Sequence, residues 1–364
     1  MDKSRSRRHF IQDSALALTA AAAALNASTS RSAAADPTRA RLKLGYDNFA
    51  VRAMKWKAEA LIDYAEQLQV DSLFITDLDA FVSRETAALQ ELRRKATDKG
   101  IDIQLGTWSI CPTSKTFRNN NGTAEEHLAL GLRMARDLGS PVLRVILGSG
   151  EDRKTPGGIE ARMADTVKVC QAMKSRATDY GVKIAVENHA GDMHSRELVT
   201  LVEAAGKDFV GVNIDPGNAC WTLEDPLENL ENLGPYTLTS SMRDSMVWEY
   251  PDGAKVQWTA MGEGVVDFKT YFKRFAELCP KAPVHIETIS GFAREFPYLK
   301  PSMWQGFSGM RAADFSRFVA LAKRGRPIEP NRSPNEQAEQ SYQKGEIERS
   351  IRYCKTVLGL GLKT

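Results

Sequence analysis

Residues 182–218 read VKIAVENHAGDMHSRELVTLVEAAGKDFVGVNIDPGN. Two short apolar runs, 182–186 and 210–214, each end in a carboxylate, Glu187 and Asp215. Between them, residues 195–205 place apolar side chains at helical spacing. The stretch is a strand–helix–strand unit with an acid at the end of each strand. Strands joined by a crossover helix run parallel, so both acids leave the sheet at one edge. His189 and Asn218 lie just beyond them. Acids also cap helices and open loops, so this pair alone does not assign chemistry.

The same alternation continues in both directions. Upstream, strands are expected at 42–46, 70–75, 101–108 and 141–147, with helices between and after them at 55–68, 83–99, 123–138 and 159–180. The third of these helices carries its own punctuation: Thr123 as cap, Glu126 three residues on, and Gly139 as stop. Downstream come a short helix at 225–233, a strand at 236–242, a helix at 267–278 and a strand at 283–289 that again carries an acid, Glu287. Eight such alternations over about 250 residues give an α/β chain folded as a (β/α)8 barrel, with a doubly wound sheet as the alternative. The barrel is expected over 41–325, with 312–323 as its eighth helix. A Pro/Arg linker and a C-terminal helix at 336–358, packing on the barrel, fill 326–364.

The N-terminus differs in kind. Ser6-Arg7-Arg8-His9-Phe10-Ile11 precedes an Ala/Leu-rich run at 15–25, and Ala33-Ala34-Ala35 offers a cleavage site. This is the twin-arginine export pattern, so residues 1–35 are expected to be a removed signal and the mature protein periplasmic or secreted. The run is too short for a membrane span, and none is expected after cleavage. Residues 1–35 hold five basic and two acidic side chains, leaving 44 of each in the remainder. A neutral mature chain has no electrostatic footprint for nucleic acid. The five cysteines have neither CxxC pairing nor metal-finger spacing, and their odd number leaves at least one free or bridging between chains.

In a barrel the C-terminal strand ends share one mouth, and period two selects the inward residues. That rule brings Glu187, Asp215 and Glu287 together. Three bare carboxylates so close would raise one another's pKa, and a divalent cation with oxygen ligands (Mn, Mg or Zn) removes the penalty. His189, Asn218, Arg243, Trp108 and His285 are the candidate substrate contacts. Trp108 ends the third strand and can form a stacking wall. His285 points inward one layer below Glu287, where a core histidine is an equal reading.

The chain resembles the xylose isomerase-like TIM barrels, the sugar phosphate isomerases and epimerases. The resemblance rests on Val186-Glu187-Asn188-His189, Asn213-Ile214-Asp215-Pro216-Gly217-Asn218, Gly262-Glu263-Gly264-Val265-Val266-Asp267-Phe268 and His285-Ile286-Glu287-Thr288, and covers 42–291. It implies that Glu187, Asp215 and Glu287 bind a divalent metal and that Glu187 and Glu287 are the catalytic acid/base pair. One position departs. The family's seventh strand ends in His-x-(Lys/Arg)-Asp, the His being the fourth ligand; here the run is Ser241-Met242-Arg243-Asp244, which puts Ser241 in the ligand position. A hydroxyl is a poor neutral ligand beside imidazole. The expected activity is a metal-dependent sugar isomerase or epimerase working through an enediolate on an unphosphorylated sugar or glycoside, with no nucleic-acid partner; a homo-oligomer is compatible with the sequence. Alternatives are a keto-glycoside lyase on the same site, a sugar-binding barrel without catalysis, and an endonuclease-like phosphoester hydrolase, against which the few histidines and the neutral charge count.

Overall fold

The computed structural model describes residues 42–363; the expected signal at 1–35 lies outside them. Seven parallel strands come first: β1 (Leu44–Asp47), β2 (Ser72–Ile75), β3 (Asp102–Ser109), β4 (Val142–Ile146), β5 (Lys183–Glu187), β6 (Val210–Ile214) and β7 (Thr237–Ser240). After β7 the chain makes an antiparallel hairpin, β8 (Asp244–Tyr250) and β9 (Gly253–Thr259). It then returns to the main sheet as β10 (Val284–Ile286) and adds β11 (Ala293–Phe296) to the hairpin. The parallel sheet runs β10-β1-β2-β3-β4-β5-β6-β7. It closes just past β7, where Met242 bridges Ile286, donating to the His285 carbonyl at 2.7 Å and accepting from Glu287 N–H at 2.9 Å. The fold is the expected (β/α)8 TIM barrel, with a helical C-terminal extension.

The helices form where the local signals place them. Ala124–Leu138 begins in a reciprocal capping box between Thr123 and Glu126 and ends at Gly139, whose φ of 75° is the left-handed stop. Its buried stripe, including Leu128, Leu132 and Ala135, packs on the barrel wall.

Two features depart from the sequence reading. The segment between 243 and 261, given no structure there, is the β8–β9 hairpin, turning at Pro251-Asp252-Gly253. And the helix at Ala312–Ala322 exists but does not face the barrel: Phe318, Leu321 and Ala322 pack with Val247 and Val256 of the hairpin in a second, smaller core. The helix beside β10 and β1 is the C-terminal one, Glu336–Thr356. Its Ile347, Ile351 and Cys354 belong to the barrel core, and Gln343 Oε1 accepts the Ala53 N–H at 2.9 Å. Among the described residues no helix is long and apolar enough to cross a membrane. All five cysteines are buried and unpaired.

Candidate active site

The barrel interior is polar from floor to mouth. At the floor, Thr239 donates to Gln104, and His285 is enclosed by Ser72 Oγ at 2.6 Å and the Ser240 carbonyl at 3.2 Å, its ring 4.9 Å from Phe74. Both ring nitrogens are occupied, and burial drives its pKa down to about 3. His285 therefore belongs to the floor and does not reach the mouth, which corrects its expected substrate contact.

Above the floor, Glu187, Asp215 and Glu287 converge as expected, one oxygen from each lying within 4.8 Å of the others. They are not bare. Arg144 of β4 is buried and pairs with Glu187. The Glu187 carboxylate also accepts from Asn213 Nδ2 at 2.8 Å and Asn218 Nδ2 at 3.1 Å. Asp215 caps the short helix Pro216–Trp221, Oδ1 accepting the Gly217 and Asn218 amides at 2.8 and 3.0 Å. Its Oδ2 takes Asn218 Nδ2 at 2.7 Å and Arg243 Nη2 at 2.6 Å. The same Arg243 nitrogen bridges to Glu287 Oε2. Among the described residues five of the six carboxylate oxygens thus have donors, and Glu287 Oε1 has none.

This arrangement splits the acids electrically. Burial works to raise the Glu187 pKa, but Arg144 and His189 outweigh it, and the group is held below its ordinary value. Asp215 is pushed up to about 8 by burial and by the Glu187 and Glu287 charges, against the pull of Arg243. Glu287 is raised by burial and Glu187, against Arg243 and Arg144. A fourth acid that sequence reading missed, Asp47 at the end of β1, is raised well above its ordinary value by burial and by Glu287. Pairs of acids driven apart in this way are a basis for acid/base division of labour.

The three acids are spaced so that they could hold a divalent ion, but guanidinium groups take that place as the side chains stand. The space between Asp215 and Glu287 is filled by a guanidinium, and Glu187 is taken by Arg144 and two asparagines. Ser241, in the fourth-ligand position, is fully buried and accepts from Asn213 Nδ2 at 3.1 Å. Asn213 opens one of the family motifs, whereas Arg144 was not singled out from sequence. The signal was available in the period-two rule: Asn213 lies beside Glu187 in the strand register, and Arg144 lies beside Ala185, two residues before Glu187 on the same side of β5.

A cavity of about 590 Å³ opens over the cluster. Glu287, Arg243, Asn218, His189 and Trp108 line it, as do Arg144, Trp221 and Trp258; Glu187, Asp215 and Ser241 lie behind this surface. His189 Nδ1 is 2.7 Å from the Gly148 carbonyl, which fixes the proton there and leaves Nε2 as the acceptor. Burial lowers its pKa to about 4. One wall is Trp108, edge-on to His189 at 5.6 Å. Another is Trp221 stacked on Trp258 at 4.0 Å, with Phe292 edge-on to both.

The family model of the xylose isomerase-like TIM barrel matches residues 43–300. A 3-oxo-isoapionate decarboxylase of Pectobacterium atrosepticum is 26% identical over 170 residues, 47% of this chain and 54% of that protein. The chain thus spans about half the length of that curated relative. Among solved structures, a D-psicose 3-epimerase crystallised in the presence of D-fructose aligns over 87% of this chain and 100% of its own, with a TM-score of 0.57 and 14% identity. The IolI protein with a bound zinc atom aligns over 79% and 100%, with a TM-score of 0.54 and 13% identity. At these identities the structures share the fold.

Proposed function

The chain belongs to the xylose isomerase-like TIM barrel family, and on that premise we propose that it is an enzyme moving protons beside the carbonyl of an unphosphorylated sugar or glycoside, as an isomerase or epimerase. The observation that carries this is Glu287: an acid on the cavity wall with one oxygen free of donors, beside a guanidinium. The Glu287 carboxylate removes a proton from the carbon next to the carbonyl. The oxygen gains charge as an enediolate and is held by N–H donors at the cavity wall. Neutral His189, with Nε2 unprotonated, accepts a second proton and, once charged, returns it. Glu187, expected as the partner base, supports from behind by holding Arg144.

The resemblance and the zinc of the IolI protein would supply a divalent metal, Mn, Mg or Zn, as the cation of such a step; the donor set here does not take one as placed, and the step is written through side chains.

A second reading, β-elimination from a keto-glycoside, is favoured by the two aromatic walls, which suit a substrate of two rings. It passes through the same enolate, as does loss of carbon dioxide from a 3-oxo acid, the reaction in the decarboxylase's name. We further propose that the mature protein is periplasmic or secreted, on the strength of the twin-arginine pattern; N-terminal sequencing of the exported protein tests this.

The reaction is tested by incubating the protein with keto-sugars and their glycosides in D2O. Deuterium entering a carbon-bound position, or release of the aglycone, and loss of both in Glu287→Gln, is the expected outcome. Tight sugar binding with neither would make this a sugar-binding barrel.

A further inference from the structure

We propose that Arg243 is the resident cation of this site, standing where the family's metal would stand, and that the chain works without a bound metal ion. The inference rests on the reading of the barrel mouth as the reaction centre, and its central measurement is independent of activity.

The geometry assigns Arg243 a built place. Its stem runs over Gly217, where a Cβ would overlap the Cγ and Cδ of the arginine. Its guanidinium lies 4.3 Å from the Trp258 ring centre. Trp258 is fixed in turn by its indole N–H, which donates to the Gly217 carbonyl at 3.0 Å. One glycine and one tryptophan thus form a slot that orients the side chain. Trp258 comes from β9, so the hairpin added to the barrel supplies half of that slot. The family pattern also places a Lys or Arg here, beside a metal-ligating His; in this chain that His is Ser241, and the slot holds the arginine against the acids.

The charges agree with the geometry. A guanidinium is permanently positive and presents its donors in a planar fork suited to carboxylates. Arg243 spans Asp215 and Glu287 with one nitrogen, and Arg144 does the same service for Glu187. Arg243 Nε is buried without an acceptor among the described residues, while the residue lines the cavity, where the guanidinium can meet a substrate oxygen. The substitution of imidazole by hydroxyl at 241 completes the change. Ser241 is itself tied to Asn213, so the ligand most able to recruit a transition metal is absent and its replacement is engaged elsewhere.

The step is then complete without a metal. Glu287 takes the proton from the carbon beside the carbonyl. The C–H electron pair becomes the new C=C bond, and the carbonyl π pair moves onto oxygen, where Arg243 holds the enolate. Reprotonation at carbon reverses the electron flow and discharges the base.

The test is the metal content of mature protein, purified without chelator and then incubated with Mn, Mg or Zn and desalted. Elemental mass spectrometry and thermal melting are run beside an Asp215→Ala variant and a variant combining Ser241→His with Arg243→Leu. The wild type is expected to hold well under one ion per chain and to melt at the same temperature with each metal. The combined variant is expected to take up about one ion, because it restores the fourth ligand and vacates the centre. About one ion per wild-type chain, lost in Asp215→Ala, would overturn the proposal. If the combined variant fails to fold, the wild-type stoichiometry decides alone. Failure of every sugar to exchange hydrogen would sink the proposed reaction while leaving the metal result standing.

Discussion

Gly217 and Arg243 are in contact with no space between them for a side chain on the glycine: a Cβ there would fall on the arginine's own methylenes. The backbone of the helix that follows Asp215 therefore helps decide where the guanidinium stands. Gly217→Ala is expected to push Arg243 out of its slot. Overpacking of this kind costs about 1–3 kcal/mol, read as a lower urea midpoint at unchanged slope. Activity should fall further than stability, since the displaced cation no longer meets Glu287. Unchanged activity in Gly217→Ala would mean that the slot does not position the arginine.

Arg144 and Glu187 make the second buried pair, with Glu187 behind the cavity surface and Arg144 at its wall. Arg144→Leu strands a carboxylate, and loss of one partner of a buried pair costs about 3–5 kcal/mol. The double variant Arg144→Leu with Glu187→Leu should recover much of that loss, because removing both charges removes both desolvation penalties. A double-mutant cycle by chemical denaturation reads the coupling directly. Two additive single losses would mean that the pair is not a pair in solution.

Away from the mouth, Glu224 gives a pH signature with a defined sign. It is fully buried, takes the Ser195 amide at 3.1 Å and Asn229 Nδ2 at 2.9 Å, and lies 3.5 Å from His194. Burial, against these hydrogen bonds, raises its pKa to about 7. The folded state thus keeps a proton that the unfolded chain releases near its ordinary value of 4.5. Stability from this group is greatest below that value and declines as pH rises to about 7, where the folded carboxyl also ionises. Glu224→Gln should reduce the decline by up to about one proton's worth of slope between pH 5 and 7. Unfolding by urea at several pH values, wild type beside variant, measures the difference. Parallel curves would show that Glu224 is ionised in the folded state.

Much of this molecule was legible before any coordinates. The eight strands follow from apolar runs and their punctuation, and the three acids from the rule that strand ends share a mouth. What was not legible has particular causes. The β8–β9 hairpin interrupts the strand–helix alternation that defines the barrel, although Pro251-Asp252-Gly253 is a turn flanked by alternating residues. The eighth barrel helix was misplaced because 312–323 and 336–358 read equally well as helices, and only packing shows which one faces β10. His285 reads from sequence as inward and one layer below Glu287, but whether that layer is floor or mouth depends on what closes over it, here Ser72 and the Ser240 carbonyl. Arg144 sits inside an apolar strand, where a lone charge reads as an exception until its partner on β5 is known. The arginine-filled centre needed side-chain positions, because Ser241 alone says that a ligand is missing and not what replaces it.

The stacked pair of Trp221 and Trp258 separates a one-ring from a two-ring substrate. Trp221 lines the cavity with one face against Trp258 and with the Arg294 guanidinium 4.5 Å from its ring centre. It touches none of the three acids through any hydrogen bond, so it has no part in the proton transfer. Its two faces are covered by Trp258 and by the Arg294 guanidinium, so a substrate meets the ring edge; an edge contact of about 0.5–1.5 kcal/mol means that Trp221→Ala should raise KM for a glycoside by roughly 2- to 13-fold. The turnover number should change far less, because the loss falls on ground state and transition state alike. Trp221→Phe should restore most of the affinity. Trp258→Ala should behave differently, lowering turnover as well, because Trp258 also holds Arg243 in place. If the wall binds a second ring, the KM effect of Trp221→Ala appears with glycosides and vanishes with the free monosaccharide. An equal effect on both would place Trp221 against the reacting ring itself and reduce the case for a lyase acting on two-ring substrates.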